Sequence, residues 1–316
     1  MKEWTVKKND AGQRLDKFLT KSLPTLSQSL LYKYLRLKRI KVNGKRAEAN
    51  YRLIEGDMLQ LYINDEFFET DKPQTIRLSK TPVQLDIVYE DEHILLINKP
   101  VGLVVHEDDN GSTDTLIKRV LQYLMQKGEY DPANERSFTP ALCNRIDRNT
   151  CGIVIAAKTA EALRVMNQKV KDREIDKRYL CVVAGHLPPK AELKAFMLKD
   201  ERKNEVKVYD HPVAGGKTML TNYKVIRSME DTSLLEVELV TGRTHQIRAH
   251  FAHIGHPLIG DGKYGSRAMN EKYKVKYQLL CSYKLTFTFT TDAEGLSYLN
   301  GKTFEVKPEW LDKVKS

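Results

Sequence analysis

The stretch NRIDRNTCG at residues 144–152 leads directly into the apolar stretch IVIAA at residues 153–157. Consecutive apolar residues with β-branched side chains are typical of a buried strand. The Asp, Asn, Thr and Gly before them favour a turn. Asp147 lies in this turn between Arg145 and Arg148, and nearby positive charge keeps a carboxylate ionised. The segment therefore predicts either an ordinary turn or a carboxylate that acts as a nucleophile or general base.

Most apolar stretches on either side of this junction also have the length and composition of strands. They cover residues 87–89, 94–97, 179–183, 221–226, 234–240 and 285–289. One predicted helix follows the cap residue Thr159, and another covers residues 244–254 and ends at Gly255. The pattern predicts an α+β domain over residues 85–316, built on a mainly antiparallel mixed sheet.

Residues 1–63 have the pattern of a separate, small α/β unit. One helix begins at Arg14, and Ser27 caps a second helix. A short strand and the tight turn Asn43-Gly44 follow. Basic residues line one edge of the second helix and the hairpin after it: Lys33, Arg36, Arg39 and Lys45. Residues 64–84 lack a sustained period and contain two prolines, so we predict a linker in which Phe67 and Phe68 supply local order.

The charge is distributed unevenly along the 316 residues. The whole chain has 52 Lys and Arg against 42 Asp and Glu, a formal charge of +10. Residues 1–63 contain 14 Lys and Arg and 6 Asp and Glu, a net charge of +8. The same counts are 3 and 8 in residues 64–92, a net charge of −5, and 35 and 28 in residues 93–316, a net charge of +7. A unit as basic as the first is typical of a protein that binds a polyanion, most often nucleic acid. A basic surface that is merely solvated is the alternative.

Composition also argues against several classes of protein. No apolar stretch approaches the ~20 residues that span a bilayer, and the N-terminus lacks the apolar core of a secretory signal. The cysteines contain no C-x-x-C pair, which argues against a zinc ribbon or a dithiol redox site. They are Cys143, Cys151, Cys181 and Cys281. We expect a cytoplasmic protein without membrane contact.

Two further clusters contain residues suited to chemistry. The stretch TGRTHQIRAH at residues 241–250, followed by His253 and His256, brings four histidines close together in the sequence. No H-E-x-x-H is present, so hydrogen bonding and phosphate contact explain the histidines better than a metal site. Arg243 and Arg248 are suited to pair with carboxylate or phosphate. Lys177-Arg178-Tyr179 enters a strand, where Tyr179 is either a packing residue or a catalytic one.

Together these segments resemble the RluA family of RNA pseudouridine synthases. The family pattern H-R-L-D-x-x-T-S-G here reads NRIDRNTCG, with Asn144, Ile146 and Cys151 as departures. The flanking matches are Asn98-Lys99-Pro100 with Gly102-Leu103 and His106, Lys177-Arg178-Tyr179, Gly242–Arg248 with His250, Gly255-His256-Pro257 and Gly260-Asp261. The N-terminal unit, residues 1–63, resembles the RNA-binding domain of ribosomal protein S4.

The resemblance implies a chemistry and a role for each matched residue. Asp147 acts at the sugar–base junction, by covalent attack or by removing a sugar proton. Arg248 pairs with that aspartate, Tyr179 stacks on the uracil and assists proton transfer, and Arg145 fills the space of a flipped uridine. The reaction needs neither a metal nor a cofactor. Phosphate contacts are expected from Lys33, Arg36, Arg39, Lys45, Arg243 and His245.

The leading hypothesis is therefore a cytoplasmic, monomeric pseudouridine synthase without an obligate protein partner. Its N-terminal unit favours large-subunit ribosomal RNA over tRNA as the substrate, by family analogy alone. The alternatives are an RNA-binding assembly factor without catalysis and a metal-dependent RNA hydrolase built on the histidines.

Overall fold

The computed structural model describes residues 1–68, 84–107, 111–200 and 205–314. Its N-terminal unit contains two helices beside a four-stranded antiparallel sheet with the strand order β1-β4-β2-β3. These elements are β1 (Lys2–Thr5), α1 (Leu15–Ser22), α2 (Gln28–Arg36), β2 (Ile40–Val42), β3 (Lys45–Arg46) and β4 (Met58–Leu61).

Local sequence features explain this unit. The Ser27 hydroxyl accepts a hydrogen bond from the Leu30 amide at 3.4 Å, which confirms the predicted cap of α2. Asn43 and Gly44 have φ angles of 52° and 75°, as a two-residue hairpin turn requires. Phe67 and Phe68 pack against the core of this unit. Residues 69–83 of the predicted linker lie outside the described residues.

The second unit is built on one large sheet. In the described residues, its first part contains β5 (Ile87–Glu90), β6 (Ile94–Lys99), α3 (Leu116–Gln126), β7 (Ala141–Leu142), β8 (Cys151–Ala157), α4 (Ala160–Lys171), β9 (Ile175–Ala184), β10 (Lys190–Asp200), β11 (Glu205–Tyr209) and β12 (Lys217–Ser228). The rest is β13 (Thr232–Leu239), α5 (Gln246–His253), α6 (Arg267–Tyr273), β14 (Leu280–Phe287) and β15 (Thr303–Glu305). Six of these elements were not predicted from the sequence: α3, β7, β10, β11, α6 and β15.

The 11-stranded sheet follows the order β11-β10-β12-β13-β9-β14-β8-β6-β5, with β15 paired to β14 and β7 paired to β8. Among the described residues, its pairings are antiparallel except that between β14 and β8. The predicted α+β class with a mainly antiparallel mixed sheet is therefore confirmed. In the described part of the chain, no helix has the length and apolar composition needed to cross a bilayer.

Strand β8 lies between two hydrophobic cores, which explains its uninterrupted apolar sequence. Val154 and Ala156 belong to the core that contains residues of α3 and α5. Ile153 and Ile155 face the opposite way, into the core that contains residues of α4. Alternate residues of a strand point to opposite faces of the sheet, so a strand covered on both faces has no polar side.

The contact between β8 and β14 depends on Gly152. Cys151 and Gly152 are the β8 residues that pair with β14, in parallel with Cys281 and Ser282. Gly152 has a φ of +114°, and a Cβ there would lie 2.2 Å from the Ser282 carbonyl oxygen. Only glycine combines this backbone conformation with so close an approach of two main chains. The turn containing Asp147 enters the sheet at this point.

Replacing Gly152 by alanine should destabilise the second unit by about 3 kcal/mol, because steric overlap adds to backbone strain. Gly301→Ala is the matched control, since Gly301 has a φ of +80° and a Cβ there would meet nothing within 4 Å. The control should cost about 1–2 kcal/mol, the strain of the left-handed conformation alone. Urea unfolding of both variants measures the difference, and equal losses would contradict the steric role of Gly152.

Candidate active site

One cleft of about 610 Å³ contains six of the residues predicted from the sequence. Its walls come from the turn before β8, the first half of β9, and the segment that leads from the end of β13 into α5. The six residues are Arg145, Asp147, Tyr179, Arg243, His245 and Arg248. The structure thus brings together segments that lie up to about a hundred positions apart in the chain.

A single guanidinium group joins two carboxylates at this cleft. Arg248 donates from Nη1 to Asp147 Oδ2 at 2.8 Å. Its Nε and Nη2 donate to the two oxygens of Asp261 at 2.7 and 3.0 Å. The bond with Asp261 is bidentate, so it fixes the plane of the guanidinium as well as its position. Arg248 therefore presents its remaining edge to Asp147 in one orientation.

Asp261 is fully buried and accepts further bonds from the Lys263 and Tyr264 amides at 2.8 and 3.0 Å. Burial raises the pKa of Asp261. The hydrogen bonds and charge of Arg248 and the hydrogen bonds of the two amides lower this pKa by more, so it lies below its usual range. Burial lowers the pKa of Arg248, and its bonds to Asp261 together with both carboxylate charges bring it above its usual range. This pair therefore stays charged at neutral pH.

Tyr179 lies on β9 and is 6% exposed. Its neighbours across the sheet are Val237 on β13 and Ser282 on β14. Burial raises the pKa of Tyr179 to about 12, and the negative charge of Asp147 acts in the same direction. The phenol is therefore protonated at neutral pH and can donate a hydrogen bond into the cleft.

The sequence analysis did not assign a role to Lys99, which holds the Asp147 turn from behind. This lysine is fully buried, and its ammonium donates to the carbonyls of Pro100, Leu103 and Arg148 at 2.8, 2.7 and 2.9 Å. Burial lowers the pKa of Lys99 to about 8. Because one of its three acceptors directly follows Asp147, Lys99 ties the turn to the end of β6. The Lys-Pro pair in the sequence was the available indication.

The start of α5 is held by a similar set of polar contacts. His245 has a left-handed conformation with a φ of 52°, and its Nδ1 lies 2.9 Å from the Tyr264 hydroxyl. Gln246 is buried and donates to the Leu220 carbonyl at 2.8 Å. The Tyr264 ring also lies 5.3 Å from the guanidinium carbon of Arg248. These contacts fix the direction in which α5 carries Arg248 toward the cleft.

The cleft is strongly basic. Its cationic lining residues are Arg145, Lys171, Arg173, Lys177, Arg243 and Arg248. In the described part of the chain, Asp147 is the one acidic residue that lines it. The sequence analysis did not select Lys171 or Arg173, which lie at the end of α4 and just beyond it and reach the cleft through the tertiary fold. A basic cleft with one carboxylate is suited to a polyanionic substrate that needs acid–base or nucleophilic chemistry.

The four clustered histidines do not converge on a common point. His250 is buried, with Nδ1 at 2.9 Å from the Thr221 hydroxyl, and burial lowers its pKa to about 4. His253 faces Asp210 at 2.7 Å, and His256 faces the Ala184 carbonyl at 2.8 Å. Within the described ranges, no three His, Cys, Asp or Glu side chains are arranged to hold a metal ion.

The remaining predicted residues lie outside the cleft. Lys33, Arg36, Arg39 and Lys45 are exposed on the N-terminal unit. That unit contacts the second one through polar bonds, among them Asn9 to Glu135 at 3.1 Å and Ser137 to Asp10 at 2.6 Å. Arg148, next to Asp147 in sequence, donates to the Ser112 hydroxyl at 3.1 Å.

Two of the residues that depart from the family pattern, Asn144 and Cys151, lie within hydrogen-bond distance of the main chain of the sheet. The side-chain oxygen of Asn144 accepts a hydrogen bond from the Ile155 amide at 2.8 Å, which joins the start of the turn to β8. The Cys151 thiol lies 3.7 Å from the Leu280 carbonyl, at the contact between β8 and β14.

Comparison with known proteins identifies the family of this chain. Residues 93–253 match the family model described as RNA pseudouridylate synthase, and residues 13–59 match that of the S4 domain. The chain belongs to the RNA pseudouridine synthase family and is an isomerase that acts on RNA. More particularly, it is a member with an S4 domain in front of the synthase domain.

Named relatives support this assignment, and a solved structure has the same fold. The chain is 34% identical to ribosomal large subunit pseudouridine synthase D of Escherichia coli over 83% of its length and 76% of that protein. It is 33% identical to synthase C of Vibrio cholerae, over 81% and 78%. An uncharacterized RNA pseudouridine synthase of Mycoplasma genitalium is 33% identical over 90% and 88%. Human RNA pseudouridylate synthase domain containing 4 has the same fold, with a TM-score of 0.56 at 19% identity over 72% of this chain and 90% of that one.

Asp261→Asn should lower the free energy of unfolding by about 3 kcal/mol at neutral pH, because it leaves the Arg248 charge without its buried partner. The folded pKa of Asp261 lies below its unfolded value of about 4. Its stabilisation is thus present above pH 4 and is lost as the pH falls through the folded value. Urea unfolding from pH 7 to pH 3 should therefore show that the difference in the free energy of unfolding between the wild type and the variant becomes smaller below pH 4. A difference that does not change with pH would contradict this role of Asp261. The same loss of stability in the exposed control Asp292→Asn would also contradict it.

Proposed function

We propose that this enzyme converts uridines of large-subunit ribosomal RNA to pseudouridine, with Asp147 acting at the sugar–base junction. The observation that supports this most is the hydrogen bond from Arg248 to Asp147 in a basic cleft, with Asp261 holding the arginine from the other side. Two relatives are named as large-subunit ribosomal enzymes. The S4 domain, whose counterpart belongs to a ribosomal protein, is consistent with the same substrate.

The bonds that break and form in the conversion of uridine to pseudouridine determine the role of the Asp147 carboxylate. The bond between C1′ of the ribose and N1 of uracil breaks, the base turns, and a bond forms between C1′ and C5. The proton on C5 is lost and N1 gains one, so the composition of the nucleoside is unchanged. Asp147 can attack C1′ directly or remove the 2′ proton to give a glycal. Both routes use an oxygen of this carboxylate, and the hydrogen bond from Arg248 to Oδ2 fixes the orientation of the group in the cleft.

Tyr179 has the position and protonation state of a partner for the turning base. We assign its ring to stacking on uracil at the wall of the cleft, and its hydroxyl, which burial keeps protonated by raising its pKa to about 12, to donating a hydrogen bond or a proton. Arg145 is exposed at the same cleft and would fill the space left in the RNA by the flipped uridine. Arg243 and His245, on the wall that leads into α5, would contact the phosphates.

We further infer that the enzyme acts as a cytoplasmic monomer without a metal or cofactor. The isomerisation involves no net oxidation and loses no atoms, so acid–base and nucleophilic groups of the protein suffice. All four cysteines are free thiols, as expected in a reducing compartment. We assign residues 1–63 to RNA docking, residues 64–84 to the linker and residues 85–316 to the catalytic domain.

Asp147→Asn should reduce the rate of pseudouridine formation by roughly 10²–10⁴-fold or more, because it removes the charge and keeps the shape of the side chain. RNA affinity should stay within a few-fold of the wild-type value. The matched control is Asp172→Asn, an exposed carboxylate just beyond α4, which should retain full activity. Pseudouridine formed in an unmodified ribosomal RNA transcript is the readout. Near-normal turnover by Asp147→Asn would refute the catalytic assignment.

Replacing Lys33, Arg36 and Arg39 by alanine should weaken RNA binding and leave the rate on saturating RNA unchanged. Each lost phosphate contact lowers the slope of log affinity against log salt by about 0.7–0.9, so three contacts correspond to about 2–3. Lys8→Ala with Lys17→Ala and Lys21→Ala, three exposed lysines of the same unit, is the control that removes the same net charge. A slope that does not change in the triple variant would mean that this edge is only solvated.

A further inference from the structure

A second basic surface lies outside the cleft, on the segment from position 262 to position 277 that contains α6. This segment, called here the α6 segment, has five Lys and Arg and one Glu, a net charge of +4. Its last part reads KYKVKY at residues 272–277, with aromatic and basic residues interleaved. Such interleaving occurs where a protein contacts both phosphates and bases of a single strand.

The α6 segment is attached directly to the residue that orients Arg248. Asn270 accepts a hydrogen bond from the Gly260 amide at 2.7 Å and donates to the Asp261 carbonyl at 3.1 Å. The backbone at Tyr277 also packs closely on this point, since a Cβ on Gly260 would lie 2.0 Å from the Tyr277 carbonyl oxygen. Both ends of the segment are thus fixed relative to the catalytic ion pairs.

Some of its side chains serve as anchors. Lys272 pairs with Asp231, and the Tyr273 hydroxyl contacts the same carboxylate. Val275 packs against a hydrophobic core that includes Ile259 and Leu279. Arg267 forms an exposed ion pair with Glu271 at 2.8 Å. These contacts explain four of the side chains without invoking a ligand.

Within residues 272–277, the other side chains are those of Lys274, Lys276 and Tyr277. Both lysines are exposed, and in the described ranges neither forms an ion pair with an acidic residue. Tyr277 is 37% exposed, and the Lys276 ammonium lies 5.5 Å from its ring centre. The segment thus presents two cations beside an exposed aromatic ring, and its backbone is already anchored to the rest of the domain. These side chains are available to bind a ligand.

Part of this surface is concave. Lys274 and Lys276 line a depression of about 460 Å³ whose wall includes Asp261. Asp261 is therefore shared: its carboxylate holds Arg248 at the cleft, while the residue also lines this second depression. The second basic surface is therefore linked to the cleft through the Asp261–Arg248 ion pair.

We propose that the α6 segment binds a single-stranded stretch of RNA flanking the target uridine, with Lys274 and Lys276 on phosphates and Tyr277 stacked on a base. The inference rests on the proposed function and adds a substrate contact outside the catalytic cleft. Charge complementarity and the exposed ring favour RNA over an apolar partner. The surface contributes affinity for a long substrate and does not take part in the chemical step.

The test uses the full-length enzyme and an unmodified large-subunit ribosomal RNA transcript. Lys274→Ala with Lys276→Ala should lower the salt slope of binding by about 1.4, the value for two single-strand phosphate contacts. Tyr277→Ala should weaken binding by about five-fold or more and leave the slope unchanged. In both variants the single-turnover rate at saturating RNA should equal that of the wild type. Lys190→Ala with Lys224→Ala, two exposed lysines that face each other on β10 and β12, is the charge-matched control.

An unchanged slope in the lysine variant would overturn the proposal, as would an equal fall in the control, which would indicate long-range charge only. A reduced rate at saturating RNA would also overturn it, because the segment would then act by positioning Asp261. Thermal melting of each variant checks that the fold is intact, and the conservative Tyr277→Phe should bind like the wild type. If the wild-type enzyme forms no pseudouridine in this transcript, the proposed substrate fails, while the salt slopes still measure the surface.

Discussion

The arrangement of the active site depends on one guanidinium group shared by two carboxylates. Asp261 is buried and ionised, and it is kept so mainly by Arg248, which donates to both of its oxygens, with further hydrogen bonds from two backbone amides. The same bond removes most of the rotational freedom of Arg248 and leaves Nη1 for Asp147. The carboxylate at the cleft is thus oriented by a partner that is itself held from behind. A lysine at position 248 would keep the charge and lose the bidentate geometry, so the arrangement requires arginine.

Asp147 and Arg248 come from two different elements, the turn before β8 and helix α5, and the fold places these elements side by side. Asp147 is carried by the turn before β8, which the buried ammonium of Lys99 ties to the end of β6 and which enters the sheet at the close contact between Gly152 and Ser282. Arg248 is carried by α5, whose first turn is held by Gln246. Each support uses a buried polar group with satisfied hydrogen bonds, and such groups are costly to disturb. Several buried polar residues of the domain therefore serve to position its acidic cleft residue.

Sequence reasoning succeeded where the decisive interaction was local. Ser27 as a helix cap, Gly255 at the end of α5 and the buried strand β8 each depend on residues within a few positions. The pairing of Asp147 with Arg248 was expected from the family pattern and lies 101 residues apart, a separation at which periodicity carries no information. The sequence contained Lys99 and Asp261 within recognisable motifs, but their roles depend on which carbonyls and guanidinium nitrogens the fold places beside them. The strand order, which puts β14 between β8 and β9, likewise arises from long-range pairing.

In the proposed mechanism Arg248, fixed by Asp261, holds Asp147 at the point where the glycosidic bond breaks. A structure of the enzyme bound to a stem-loop of its RNA measures this directly. We expect a uridine flipped into the cleft, an oxygen of Asp147 about 3–3.5 Å from C1′ or from the 2′ carbon, and the bonds from Arg248 to both carboxylates retained. A uridine still stacked in the RNA, or one bound with its ribose beyond the reach of Asp147, would contradict it.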